Sequence, residues 1–241
     1  MNLKLKILLL AGNTLRARAY AQNFSNLNRE EYNIQGLFFG FENRKVIPPT
    51  LDSPTQKFLQ NENLFTPNLD EDLHETFAKH NWEFKEAKSE DVNGEEVLNL
   101  IRSFEVNIIV FAGYGGQILR SGHFQLNNSY LHMHPGKLPI ERGSTTIFYS
   151  ILNQKKCTVT AFYMTEKIDE GKNILFEEYT IPTKGVDIDR WYDNVIRADC
   201  FVKAIQKIGN NGIFEKELNE SSEEYYVIHP VLKHVALLSL K

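Results

Sequence analysis

Cysteine is scarce in this chain: two thiols, Cys157 and Cys200, in 241 residues. Two isolated thiols cannot form the disulfide framework of a small secreted fold, and they fit a reducing compartment, so the expected location is cytoplasmic. No run approaches the ~18 consecutive apolar residues of a membrane-spanning helix, and no membrane partner is expected. The G-x-G-x-x-G fingerprint is also missing. The first apolar run ends in Gly12-Asn13-Thr14 with one glycine in place, which disfavours a dinucleotide-dependent dehydrogenase. H-x-x-x-H and C-x-x-C spacings are absent, so no strong metal signature is present. Net charge is −4, and Lys and Arg do not cluster, which argues against a nucleic-acid partner.

What is present is ordinary globular material. The chain is 42% hydrophobic and 24% charged, enough to bury a substantial core. The start, MNLKLKILLLAGNT, is basic and then apolar. It reads as a buried parallel strand over 5–11 entering a helix to about residue 26, capped by Asn13 or Thr14, rather than as a leader. Further strands are expected at 33–42, 82–87, 106–112 and 130–134, and helices at 70–80 and 95–104. Between them, 43–68 reads as a long proline-bearing loop with a short helix. Ser144 is placed as the N-cap of a helix to about residue 153. Two strands follow at 156–167 and 173–182, joined by a turn at Ile168-Asp169-Glu170-Gly171. Asp187 caps a helix ending near Gly209. The last residues read as strands over 211–218 and 224–229 with an apolar tail, Val235-Ala236-Leu237-Leu238, that covers the core or supports a homodimer. The β-α alternation implies an α/β fold: a Rossmann-like, mostly parallel sheet with flanking helices and a short C-terminal helix and hairpin extension. The organisation expected is a catalytic domain over 1–184, with residues 185–241 as an extension packed on the same core.

Ligands of such sheets bind beyond the carboxyl ends of the strands. Three polar clusters fall there: Gly12-Asn13-Thr14, Gly113-Tyr114-Gly115-Gly116 and His132-Met133-His134. The first is a strand-to-helix turn beside Arg16 and Arg18 that could receive a phosphate. In the third, two imidazoles at alternate strand positions share a face. They could hold a metal with His123 or Asp169, handle protons, or simply pack.

The segment His132-Met133-His134-Pro135-Gly136-Lys137-Leu138-Pro139, followed by Arg142-Gly143, a helix and the Ile168-Asp169-Glu170-Gly171 turn, resembles the formyltetrahydrofolate-dependent formyltransferase family. The resemblance covers roughly residues 1–200. It implies N10-formyltetrahydrofolate as co-substrate and no metal. His134 matches the family's catalytic histidine and Asp169 its catalytic aspartate. His132 falls where the family has asparagine. It is assigned here as a third catalytic residue, donating to the formyl oxygen in place of the amide. Gly113, Tyr114, Gly115, Gln117 and Leu119 match the stretch that binds the pterin, with Asp169 beside them. Asn13, Thr14, Arg142, Gly143, Ser144 and Thr145 are assigned to the second substrate. The stretch Gly143-Ser144-Thr145-Thr146-Ile147-Phe148-Tyr149-Ser150, with the later Tyr225-Tyr226-Val227-Ile228-His229-Pro230, is similar to the branch that formylates nucleotide-linked amino sugars, of the pseudaminic-acid pathway type. In this family a tRNA substrate implies a further nucleic-acid-binding domain, and the residues after 209 are not basic. The resemblance therefore leaves a small amine as acceptor, a glycinamide ribonucleotide or a nucleotide-linked amino sugar. Purine-pathway members of the family usually have a Gly-rich phosphate turn after the first strand. Gly12-Asn13-Thr14 is poorer than that, which favours a nucleotide-linked 4-amino sugar, in surface polysaccharide biosynthesis. Two other readings compete. One is a relative that binds folate or a nucleotide sugar without chemistry. The other is a metal-dependent deacetylase or hydrolase using His132, His134 and Asp169.

Overall fold

The computed structural model describes residues 4–42, 44–211, 224–225 and 227–241. Its first strand, β1 (Leu5–Gly12), runs parallel between β2 (Tyr32–Phe39) and β4 (Ile108–Ala112). Alternation divides its side chains between two cores. Ile7, Leu9 and Ala11 join the cluster under helices α1 (Leu15–Asn23) and α7 (Asp193–Asn211). Leu8 and Leu10 join the cluster formed with Val97 and Ile101 of α4 (Glu95–Arg102). A strand buried on both faces must be apolar at every position, which is why β1 reads as an unbroken hydrophobic run.

The seven-stranded sheet has the order β3-β2-β1-β4-β5-β7-β8, with β3 at Glu83–Ala87, β5 at Ser129–His134, β7 at Cys157–Tyr163 and β8 at Asn173–Tyr179. The strands through β5 are parallel to their neighbours, and β7 and β8 are antiparallel. The chain winds outward from β1 to β3 and then returns to β4, so strand order reverses between β1 and β4. The carboxyl ends of those two strands are where such sheets open a crevice.

Several local expectations are met with shifted ends. Thr14, not Asn13, caps α1, its side chain accepting from the Ala17 N–H. Asp187 caps a π-helical turn, Ile188–Tyr192, that leads into α7. The loop after β2 holds α2 (Ser53–Asn61), and α3 spans Leu73–His80 with a capping box between Asp72 and Glu75. A short α5 (Ser121–Phe124) precedes β5.

Three expectations are corrected. Ser144 does not cap α6 (Thr146–Gln154). The cap position is Thr145, in a left-handed conformation with φ 54°, and no side chain caps the helix. The Thr145 hydroxyl is engaged elsewhere, donating to the Ser144 carbonyl and accepting from the Ile228 N–H at 2.8 Å. Near the carboxyl end, the strand expected over 224–229 is only β9 (Glu224–Tyr225), which pairs parallel with β6 (Arg142–Gly143). The strand expected over 211–218 starts on the last residue of α7 and otherwise lies outside the described residues. The apolar tail, finally, belongs to α8 (Pro230–Leu238), begun by a proline in its first turn where the missing N–H costs nothing. Ala236 is buried and Leu237 packs on the core, while Val231, Val235 and Leu238 remain exposed.

Candidate active site

At the end of β1 the backbone passes directly beneath the Tyr114 ring: a Cβ on Gly12 would stand 2.7 Å from it. The Tyr114 hydroxyl accepts from the Asn13 N–H at 3.0 Å and lies 3.0 Å from the Gly40 carbonyl, to which it can donate. The Arg44 guanidinium stacks on the outer face of that ring. The Asn13 side-chain amide donates to Arg44 O and accepts from Arg18. Arg18 is buried and donates to the Leu69 carbonyl at 2.7 Å. The first turn therefore serves to lock the strand ends together.

At the end of β4, Gly113 packs under the Phe111 ring, and its carbonyl accepts from Arg16 at 2.6 Å. The Gln117 side chain ties the following loop down, accepting from Tyr114 N at 3.0 Å and donating to Glu90 O at 3.1 Å. Gly115 and Gly116 face open space, with nothing within 4 Å of an added Cβ, so a flat ligand can approach this backbone closely.

β5 carries both imidazoles, paired across the sheet with β7: His132 opposite Phe162, and His134 opposite Thr160. His134 is 2% exposed. Its Nε2 lies 2.5 Å from the Glu141 carbonyl, which can only accept, so Nε2 carries a proton. Its Nδ1 lies 3.5 Å from Asp169 Oδ2. Burial lowers the pKa of His134, and the Asp169 charge works in the opposite direction. The His132 ring donates from Nδ1 to the Phe111 carbonyl at 3.2 Å, so its Nε2 is left as a lone pair. Burial lowers its pKa well below the usual histidine value, helped by the nearby Arg197 and Arg16. Arg16 is itself pulled down to about 10 by burial and by Arg197. Asp193 partners Arg197 at 3.2 Å.

Asp169 occupies a left-handed position, φ 56°, in the turn between β7 and β8. The turn is held from outside by β6. The Gly143 N–H donates to Asp169 Oδ2 at 2.8 Å, and Arg142 donates to the Ile168 carbonyl at 2.7 Å while pairing with Glu170 at 3.1 Å.

A cleft of about 170 Å3 opens between these elements. It is lined by Arg16, Phe111, Tyr114 to Leu119, His132, Phe162 and Met164 to Asp169. Of the residues singled out in the sequence, His132, Asp169, Tyr114, Gly115, Gln117 and Leu119 meet there. His134 lies behind the wall and touches the cleft through Asp169. Gly113 supports the wall from beneath. Asn13, Thr14, Arg142, Gly143, Ser144 and Thr145 do not line it: Arg142 and Gly143 brace the Asp169 turn, Asn13 bonds Tyr114 and Arg44, Thr14 caps α1, and Thr145 bonds Ser144 and Ile228. Of the two arginines beside the first turn, Arg16 lines the cleft and Arg18 does not. Arg197 went unnoticed; a charged Asp193–Arg197 pair at i, i+4 within an otherwise apolar helical stripe was the available signal. His123 is no ligand: it is buried, with its two nitrogens on Tyr130 Oη and Val92 O, each at 3.0 Å. Among the described residues no group of three or more His, Cys, Asp or Glu side chains is placed to hold a metal.

Comparison with known proteins adds three findings. The family model described as formyl transferase matches residues 64–199, more than half of the 241-residue chain. The methionyl-tRNA formyltransferase of Alkaliphilus oremlandii is 34% identical over 134 residues, covering 54% of this chain and 42% of that protein. The chain thus spans less than half the length of the curated relatives it matches. Among solved structures, a sugar N-formyltransferase from a Shewanella species aligns over 98% of this chain and 87% of its own, with a TM-score of 0.59 and 15% identity. A phosphoribosylglycinamide formyltransferase from Anaplasma phagocytophilum aligns over 93% and 99%, with a TM-score of 0.61 and 12% identity. At such identities the structural likeness is one of fold.

Proposed function

The chain belongs to the formyl transferase family, and from that premise we propose that it moves a formyl group from N10-formyltetrahydrofolate to the amino group of a nucleotide-linked 4-amino sugar. The observation that carries this reading is the convergence of an imidazole and a carboxylate, His132 and Asp169, on one cleft at the β1/β4 crevice. Beside them runs a glycine backbone open to a flat ligand. These surroundings fit a pterin: Phe111 and Phe162 supply apolar walls, and residues 113–119 supply backbone hydrogen-bonding groups. The folate, when bound, supplies an activated one-carbon acyl group. The protein's own residues bind, orient and handle protons. Asp169, fixed by the Gly143 N–H, and His134, fixed by Glu141 O, form a braced pair at the cleft edge. In this reading that pair orients the reacting groups and shares a proton.

The acceptor is the finer step. The similarity of Gly143 to Ser150 to the amino-sugar branch supports a sugar nucleotide, as does a structural neighbour of nearly the same extent. The 34% identity to a methionyl-tRNA formyltransferase makes a charged tRNA the second acceptor to test. The assay follows tetrahydrofolate release in the presence of EDTA. The acceptors are a panel of UDP- and dTDP-linked 4-amino sugars, glycinamide ribonucleotide and methionyl-tRNA. Release with an amino sugar alone is the expected result. Release only with tRNA would overturn the sugar assignment, and release abolished by EDTA would favour metal chemistry.

A further inference from the structure

Resting on the formyl-transfer reading, we infer that His132 is the proton acceptor of the reaction, working through the lone pair on Nε2, the reverse of the donor role its replacement of asparagine first suggests. The geometry is specific. The Phe111 carbonyl can only accept, so the 3.2 Å contact puts the ring's one neutral-state proton on Nδ1. The other nitrogen is then bare, on a ring that lines the cleft. His134 cannot take this part as placed, because its Nε2 is bonded to Glu141 O and its Nδ1 faces Asp169. Asp169 also reaches the cleft, but its Oδ2 already accepts from the Gly143 N–H and faces His134 Nδ1.

The charged groups around the ring come from three elements: Arg16 from α1, Arg197 with its partner Asp193 from α7, and His134 from β5 itself, while Asp169 stands on the same cleft. Burial first, and then the two arginines, keep His132 neutral at rest, so its lone pair is available at neutral pH, and they make its protonated form a ready acid. One imidazole can therefore serve both halves of the transfer. The amine's lone pair forms the new C–N bond to the formyl carbon. His132 Nε2 takes the N–H proton that the amine sheds. The bond from that carbon to the donor nitrogen breaks with its electron pair staying on nitrogen, and His132 returns the proton there. The ring ends neutral, and no oxidant or further reactant is consumed.

Two measurements on the full-length protein test this. The first is a 15N–1H long-range correlation spectrum of 15N-histidine-labelled protein near pH 7, with His132 assigned by its loss in His132→Asn. Protonated Nδ1 and bare Nε2 are expected. A protonated Nε2, or an imidazolium, would overturn the inference without any turnover being required. The second is turnover of His132→Asn, an amide that can still donate but cannot act as a base. Loss of kcat by about 100-fold or more is expected, with calorimetric folate affinity retained. Turnover by His132→Asn close to the unmodified protein's would overturn the acceptor role and leave formyl transfer standing. No turnover by the unmodified protein on any amine would instead bring down the formyl-transfer reading, and this inference with it.

Discussion

The Arg142 guanidinium clasps the Asp169 turn, donating to the Ile168 carbonyl at 2.7 Å and pairing with Glu170 at 3.1 Å. The pair is almost fully withdrawn from water, with side chains 5% and 12% exposed. Glu170 also pairs with Lys167 at 3.2 Å, so removing Arg142 leaves it partly compensated, and the cost stays below the about 3–5 kcal/mol of a buried charge left with no partner. Arg142→Ala should lower the urea midpoint accordingly. Because the clasped turn carries Asp169, kcat should fall more steeply than the amine's affinity. Arg142→Lys should recover part of the stability, since it restores charge but not the two-pronged geometry.

Gly171 sets the other side of the same turn. A Cβ there would lie 1.5 Å from the Tyr163 carbonyl oxygen, a backbone atom that cannot swing away. The Tyr163 N–H meanwhile bonds to Lys172 O at 2.9 Å, so the two segments are pinned together. Gly171→Ala must push β7 and β8 apart, and such overpacking costs about 1–3 kcal/mol or more. The measurable outcome is a lower thermal midpoint together with loss of activity.

The buried histidines give the protein a definite pH dependence. His132, His134 and His123 all have pKa values lowered in the fold, with burial the largest cause at each. Below about pH 6.5 the unfolded chain takes up protons on these rings that the folded chain refuses, so the unfolded state binds more protons and stability falls as the pH falls. Their contribution is fully present above pH 6.5 and is lost as the pH drops through the folded values. Each ring in its titration window adds up to about 1.4 kcal/mol per pH unit to the slope. Urea titrations between pH 7.5 and 5 should show the decline, and His132→Asn should make it shallower.

Much of this was legible from residue order, and the limits of that reading are physical. β1 and β4 announced themselves because strands buried on both faces must be apolar throughout, and Gly113 to Gly116 and His132 to His134 then fell at strand ends by topology alone. Ser144 was misread because capping preference is local, whereas the hydroxyl of its neighbour Thr145 serves Ile228, 83 positions away. Pro230 was a fair helix-start signal, missed because the aromatic and β-branched stretch before it resembles a strand. Arg142 and Gly143, assigned from sequence to the second substrate, are seen in the structure bonding to the Asp169 turn. Spacing can show that residues gather; it cannot show which of them faces a ligand and which braces the residue that does. The His132 tautomer is also invisible in sequence, since it depends on a carbonyl contributed by β4.

Tyr114 illustrates the same division and gives the last test. Its hydroxyl accepts from Asn13 N and reaches the Gly40 carbonyl, so one oxygen joins the ends of β1, β2 and β4 at the crevice. Its ring, pressed on Gly12, fills the space between them. Tyr114→Phe keeps the ring and deletes the oxygen, leaving the Asn13 N–H without this acceptor, a loss of about 1–3 kcal/mol for a buried group. The fold should persist with a lowered urea midpoint and unchanged cooperativity. Tyr114→Ala should cost more, because it also empties a packed aromatic site. Pairing it with Gly12→Ala should recover some of that loss, since a methyl on Gly12 projects into the vacated volume. If the double variant is instead less stable than Tyr114→Ala alone, the ring is not what reserves position 12 for glycine.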